Sequence, residues 1–198
     1  MPGAWATLIV GQITLALTGL IALASFPLIV PRLAGRIGAV FGHIGLVVGR
    51  STPEYMLAYL LLQIFGPSML PAILALALHN GAIIGHLMGR HADETVRTLR
   101  IDAPGGANLY LYELLPRMYG QFLALCLYRW EIILRESAIL GILGIATLGF
   151  YIDSAIAEIR LDRAMFLIVV TAAITLGVDA LSRSLRKRLK LKSVAATC

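Results

Sequence analysis

The chain has 198 residues, 59% of them hydrophobic and 14% charged, with a mean hydropathy of +0.83. That composition excludes a water-soluble globular fold. The formal net charge of +6 points to lipid and not to nucleic acid, because Arg183, Arg186, Lys187, Arg188, Lys190 and Lys192 cluster directly after the last apolar run. A cluster so placed is the usual cytoplasmic anchor of a final span. Several apolar runs approach the roughly 20 residues a spanning helix needs. The ten-residue apolar/polar alternation of a barrel strand is absent from the sequence. The fold class expected is all-α, a polytopic transmembrane helical bundle of about five spans forming a single domain over residues 1–198.

The first apolar run, Trp5 to Val30, has no basic stretch before it, which favours a retained span over a cleaved signal. Arg32 and Arg36 close it, and the glycine-rich interval from Ile37 to Arg50 reads as a linker helix at the membrane interface. Pro53 and Glu54 open a helix that runs to Phe65. "GPS" then turns the chain into Met69 to Met88, giving a tight helical hairpin. After a polar interval come Met118 to Leu134, a charged knot "RWEIILRES", and "AILGILGIATLGFYI", whose three glycines suit a packed helix or a bent re-entrant stretch. The last span covers Ala164 to Leu181 and leads into the basic tail, residues 183–198. Basic residues on the cytoplasmic side put this C-terminus and the 90–117 loop inside.

That loop is longer than the four to six residues usual for a connection. It contains a charged helical piece, Ala92 to Arg100, then the break "DAPGG" with Asp102, Gly105 and Gly106. A second piece, Asn108 to Leu115, has Asn108 available as N-cap and Pro116 as its end. Helix, sharp break and a second helix presenting Tyr110, Leu111, Leu114 and Leu115 make a shape suited to docking into another protein.

Ionisable groups inside a span are expensive, about 2.5 to 3.5 kcal/mol each at a helix centre on insertion scales. Arg129, Glu131, Arg135 and Glu136 fall within eight consecutive positions, and Glu131 and Arg135 are spaced to pair. Either the four neutralise one another and pin the helix, or an arginine faces a path for an anion, since its fork matches phosphate-like oxygens. His79, Asn80 and His86 are the other in-span polar candidates, for interhelical hydrogen bonds or for the path. As metal ligands the histidines would need further partners, and no H-E-x-x-H spacing occurs. Gly81 and Gly85 mark close helix packing, with an interface to a second membrane chain as one place for it. The sequence holds no Walker motif and no nucleophile elbow, so the chain is not expected to be an enzyme.

The segments "RSTPEYMLAYLLLQIFGP", "PAILALALHNGAIIGHL", "YELLPRMYGQFLALCLYRWEIILRESAILGILG" and "GFYIDSAI" resemble, in order and spacing, the permease subunits of phosphonate-type ABC importers. The Glu-Ala-Ala and glycine positions of that family's loop signature fall near Arg97-Thr98-Leu99 and Ala103 and are not matched, and a first span so near residue 1, without the leading segment of many members, gives the expectation of a short variant. The resemblance implies a MetI-like ABC importer permease fold in a bacterial inner membrane. It also implies a path for phosphonate or a related small anion delivered by a periplasmic binding protein. A second permease copy or paralogue would complete the pore. ATP and Mg would sit on cytoplasmic ATPase subunits that grip the loop through Asp102, Gly105, Gly106, Tyr110, Leu111, Leu114 and Pro116, leaving no cofactor on this chain. A permease for methionine or a thiamine precursor is the nearer alternative, and a stand-alone channel or carrier the more distant one.

Overall fold

A computed structural model describes residues 2–99 and 106–189, in which every regular element is helical. α1 (Pro2–Ser25) has no ionisable side chain and tightens into a 3-10 turn, Phe26–Ile29, around Pro27. Proline gives no N–H to the preceding turn, which ends the α-helix. Val30 is extended, and Pro31 starts α2 (Pro31–Ser51), where a missing N–H costs nothing. Gly35 breaks α2 at φ +73, a dihedral that favours glycine. α3 (Glu54–Phe65) follows Thr52 and Pro53, and Gly66 and the turn after it lead into α4 (Leu70–Thr98).

Past Gly35, α2 does not lie apart as an interfacial linker. His43 packs its ring at a tilt against that of His86, Gly49 abuts Ala82 and Glu54 reaches His79, so α2 and α3 run antiparallel to α4 as one interrupted rod. Leu46 is buried against Ile29 and Ala82, while Ile37, Val40, Phe41, Ile44 and Val48 remain exposed. α3 has 12 residues, or about 18 Å at 1.5 Å per residue, too short to cross a bilayer core alone.

α4 forms the axis of the bundle. Gly81, Gly85 and Gly89 recur every fourth residue and form a bare ridge facing α1. A Cβ on Gly81 would stand 2.6 Å from Ile21, one on Gly85 2.3 Å from the Ser25 hydroxyl, and one on Gly89 3.0 Å from the Phe26 carbonyl. The small-residue pair therefore seats α4 on α1 within one chain. Backbone approach of this kind is how helices gain packing where no water is displaced.

After α4, one-turn α5 (Gly106–Asn108) leads into a π-turn, Leu109–Leu114, and then α6 (Leu115–Ile139). Pro116 does not end the second loop helix: it lies in the first turn of α6. The Leu115 N–H bonds the Tyr110 carbonyl five residues back, and this wider turn moves the Tyr112 carbonyl away from the proline ring. α6 continues through a 3-10 turn, Leu140–Leu143, and a left-handed Gly144 (φ +86) to α7 (Leu148–Ala157). The bend between them is 42°. The glycine-rich stretch is thus the bent alternative.

α8 (Leu161–Arg188) packs on α6 and α7 but buries only 6% of its apolar window. Ser182 bonds the Leu127 carbonyl at 2.6 Å and the Arg186 guanidinium sits 5.9 Å from the Tyr128 ring centre. By length and composition α1, α4 and α8 can each cross a membrane, and the bent α6–α7 pair makes a fourth. The about five crossings expected from sequence differ from this by the α2–α3 rod, which is interrupted at Thr52 and Pro53.

Candidate functional site

Polar side chains meet halfway along α4. Asn80 is fully buried, and its amide is a junction. Nδ2 donates to the Leu76 carbonyl at 3.0 Å and to Glu136 Oε2 at 3.2 Å, while Oδ1 accepts from Arg129 Nη1 at 3.1 Å. Next to it, His79 Nε2 is 3.7 Å from Glu54 Oε2. Arg129 and Glu136 are seven residues apart on α6, so they share a face. They make no direct ion pair with each other, and the Asn80 amide joins them. Four of the sequence candidates, His79, Asn80, Arg129 and Glu136, are therefore brought together.

The other three are not. Glu131 and Arg135 pair with each other on a different face of α6. Arg135 lines an apolar cavity of about 190 Å³ between α6, α7 and α8, with Ile139, Ile152, Asp153 and Thr171. His86 is buried two turns further along α4, its ring 4.9 Å from that of His43 and its Nδ1 without a hydrogen-bond partner. Glu54 is the ring member that sequence reasoning missed: it was read only as a helix-opening acid. Its signal was an acidic side chain next to a long apolar run. Among the described residues no group of three or more His, Cys, Asp or Glu could hold a metal ion.

The loop takes a different form from the one expected. The charged piece from Ala92 is no separate helix but the last two turns of α4, whose Ala92 and Val96 are buried under Leu109 and Leu114. Asp102 and Gly105 lie outside the described residues. Gly106 is described, with φ +64, and Asn108 makes no side-chain cap bond.

The face expected to dock is turned inward. Leu114 is fully buried, and Tyr110 donates its hydroxyl to the Leu23 carbonyl at 3.0 Å and packs on Phe26. Leu111 and Pro116 stay exposed, and Tyr112, 76% exposed, is the large side chain offered outward. Glu113 and Arg117 pair beside it at 2.7 Å.

A long helical axis, a bent span, an interrupted rod and an extramembrane helical turn capping the axis define the fold of an ABC-transporter permease, and the chain is a multi-pass membrane protein. The fold is shared with an amino-acid ABC transporter crystallised with histidines (TM-score 0.74, 18% identity, 94% of this chain and 92% of that one). It is shared equally with the MetNI methionine ABC transporter in inward-facing conformations (TM-score 0.75, 17% identity, 95% and 94%). Among curated proteins, the chain is similar to the phosphite transport system permease protein PtxC of Stutzerimonas stutzeri, at 29% identity over 197 residues, 94% of this chain and 71% of PtxC. It is also similar to the phosphate-import permease protein PhnE of Mycolicibacterium smegmatis, at 29% over 142 residues, 70% of this chain and 27% of PhnE. No protein-family profile matches the chain. The sequence resemblance to phosphonate-type permeases is borne out by these relatives.

Proposed function

We propose that the chain is the membrane subunit of an ABC importer for phosphite, phosphonate or a similar small oxyanion, working in a bacterial inner membrane with its C-terminus cytoplasmic. The observation that carries this reading is the similarity to PtxC across 94% of the chain. A mid-span ring in which Arg129 commits one donor to Asn80 supports it, because a guanidinium has five N–H donors and four remain for oxyanion oxygens. A periplasmic binding protein would deliver the solute, a second permease copy or paralogue would complete the pore, and two ATPase subunits would hydrolyse ATP.

In this reading the ATPase grips the exposed side of the 106–119 segment, led by Leu111 and Tyr112. Leu111→Asp with Tyr112→Ala is expected to leave the chain inserted and to abolish co-purification of a Walker-motif ATPase in a detergent pull-down. Equal recovery of the ATPase with wild type and variant would remove the coupling assignment. Arg129→Ala is expected to lower phosphite uptake at least about tenfold, the loss of one charge-assisted contact, with ATPase recovery unchanged. Uptake within about twofold of wild type would return Arg129 to a structural part.

A further inference from the structure

The ring holds more acidic groups than guanidinium groups, an odd composition for an anion path. Glu136 faces Glu54 and Tyr55 from α3, His79 from α4 and Arg129 from its own helix, and α1, which packs against α4 and α6, brings no ionisable side chain. Two carboxyl groups, on Glu136 and Glu54, stand here against the one guanidinium of Arg129. An oxyanion that docks on Arg129 stands within two helical turns, about 10 Å, of the Glu136 carboxylate. It meets a second carboxylate across the His79 contact. Unit charges at that range in a partly desolvated interior repel enough to change an occupancy about tenfold or more.

We propose, resting on the oxyanion reading above, that Glu136 is a specificity-determining residue that makes the ring pass singly charged oxyanions and reject doubly charged ones. Phosphate-type groups take their second charge near neutrality, about pH 6 for a phosphomonoester, so the filter acts in the range where such solutes change form. Arg129 attracts the first negative charge. Glu136, held by Asn80 at 3.2 Å and unable to swing away without losing that bond, opposes the second. A dianion passes only with one proton added, on itself or on the carboxylate.

The test uses the assembled importer, with its ATPase and binding protein, in proteoliposomes and radiolabelled phosphite as the probe. Uptake is measured at about pH 5 and about pH 8, on either side of the second ionisation. The wild type is expected to lose at least about tenfold across that interval, and Glu136→Gln less than about threefold, with the variant faster than wild type at the alkaline end. Glu54→Gln, the second variant should the first fail to fold, is expected to shift the ratio in the same direction by a smaller factor. Any pH effect of the binding protein is common to all three and cancels in the comparison. Parallel profiles in wild type and both variants, or slower uptake by Glu136→Gln at both pH values, overturn the filter alone. No phosphite uptake by wild type at either pH, with intact ATPase turnover, overturns the oxyanion reading on which it rests.

Discussion

Gly149→Ala is expected to destabilise the chain severely. A Cβ at position 149 would lie 2.1 Å from the Ala138 carbonyl oxygen and 3.2 Å from its carbon, and both are backbone atoms of α6 with no rotamer to escape into. Across the same turn a Cβ on Gly141 would meet the Phe150 nitrogen and the Thr147 hydroxyl, each at 2.4 Å. These two bare positions let α7 fold back on α6 at the bend. The Leu148 N–H then reaches the Thr7 hydroxyl at 3.0 Å, which ties the bend to α1. Overpacking usually costs about 1 to 3 kcal/mol because side chains give way. Here the backbone would have to move, so about 3 kcal/mol or more is expected, a large part of the roughly 5 to 15 kcal/mol that keeps a chain folded. Gly177→Ala is the matched control: nothing lies within 4 Å of its added Cβ, and alanine in a helix interior gains about 0.5 to 1 kcal/mol over glycine. Thermal melting of the detergent-solubilised chain compares them. A Gly149→Ala midpoint within about 2 °C of wild type, no more than the shift that 1 kcal/mol produces in a chain of this size, would contradict the argument.

What could be read from the sequence were properties carried by neighbours in the chain. α1 and α8 are uninterrupted apolar runs, and the glycine spacing at Gly81 and Gly85 announced close packing. The spacing could not say that the partner was α1 and not another chain. Asp93, Glu94 and Arg97 made the end of α4 look like a loop piece, while Ala92 and Val96, four residues apart and buried, keep it helical and packed. Tyr110 and Leu114 were correctly placed on one face, yet periodicity does not reveal which side the core occupies, and the core lies on theirs. Pro116 reads as a terminator unless the preceding turn widens, and the π-turn at Leu109–Leu114 is such a widening. The ring needed Asn80 to meet Arg129 and Glu136 across 49 and 56 positions, and no local pattern encodes a contact of that span. The seven-residue spacing of the two charges was the part of it visible beforehand.

The strongest expected effect within that ring belongs to Asn80→Leu. Leucine fills a similar volume in a site that is fully buried, so packing is kept while both bridging bonds are lost. The Arg129 guanidinium and the Glu136 carboxylate would each lose a partner in a largely desolvated place, and removing one member of a buried charged network costs about 3 to 5 kcal/mol. The single variant is expected to melt much earlier than wild type and to transport nothing measurable. That result alone would not separate a structural tie from a path. The separation comes from Asn80→Leu combined with Arg129→Met and Glu136→Leu, which replaces the Asn80 junction and both of its charged partners by apolar side chains, a change that is often neutral or stabilising by about 1 to 4 kcal/mol. The triple variant is expected to recover the wild-type melting temperature and still to take up no phosphite, because it has no guanidinium with which to meet an anion. Recovery of stability together with wild-type uptake would make the ring a helix tie and nothing more. Stability without uptake would leave the solute's charge as what Arg129 and Glu136 are there to meet.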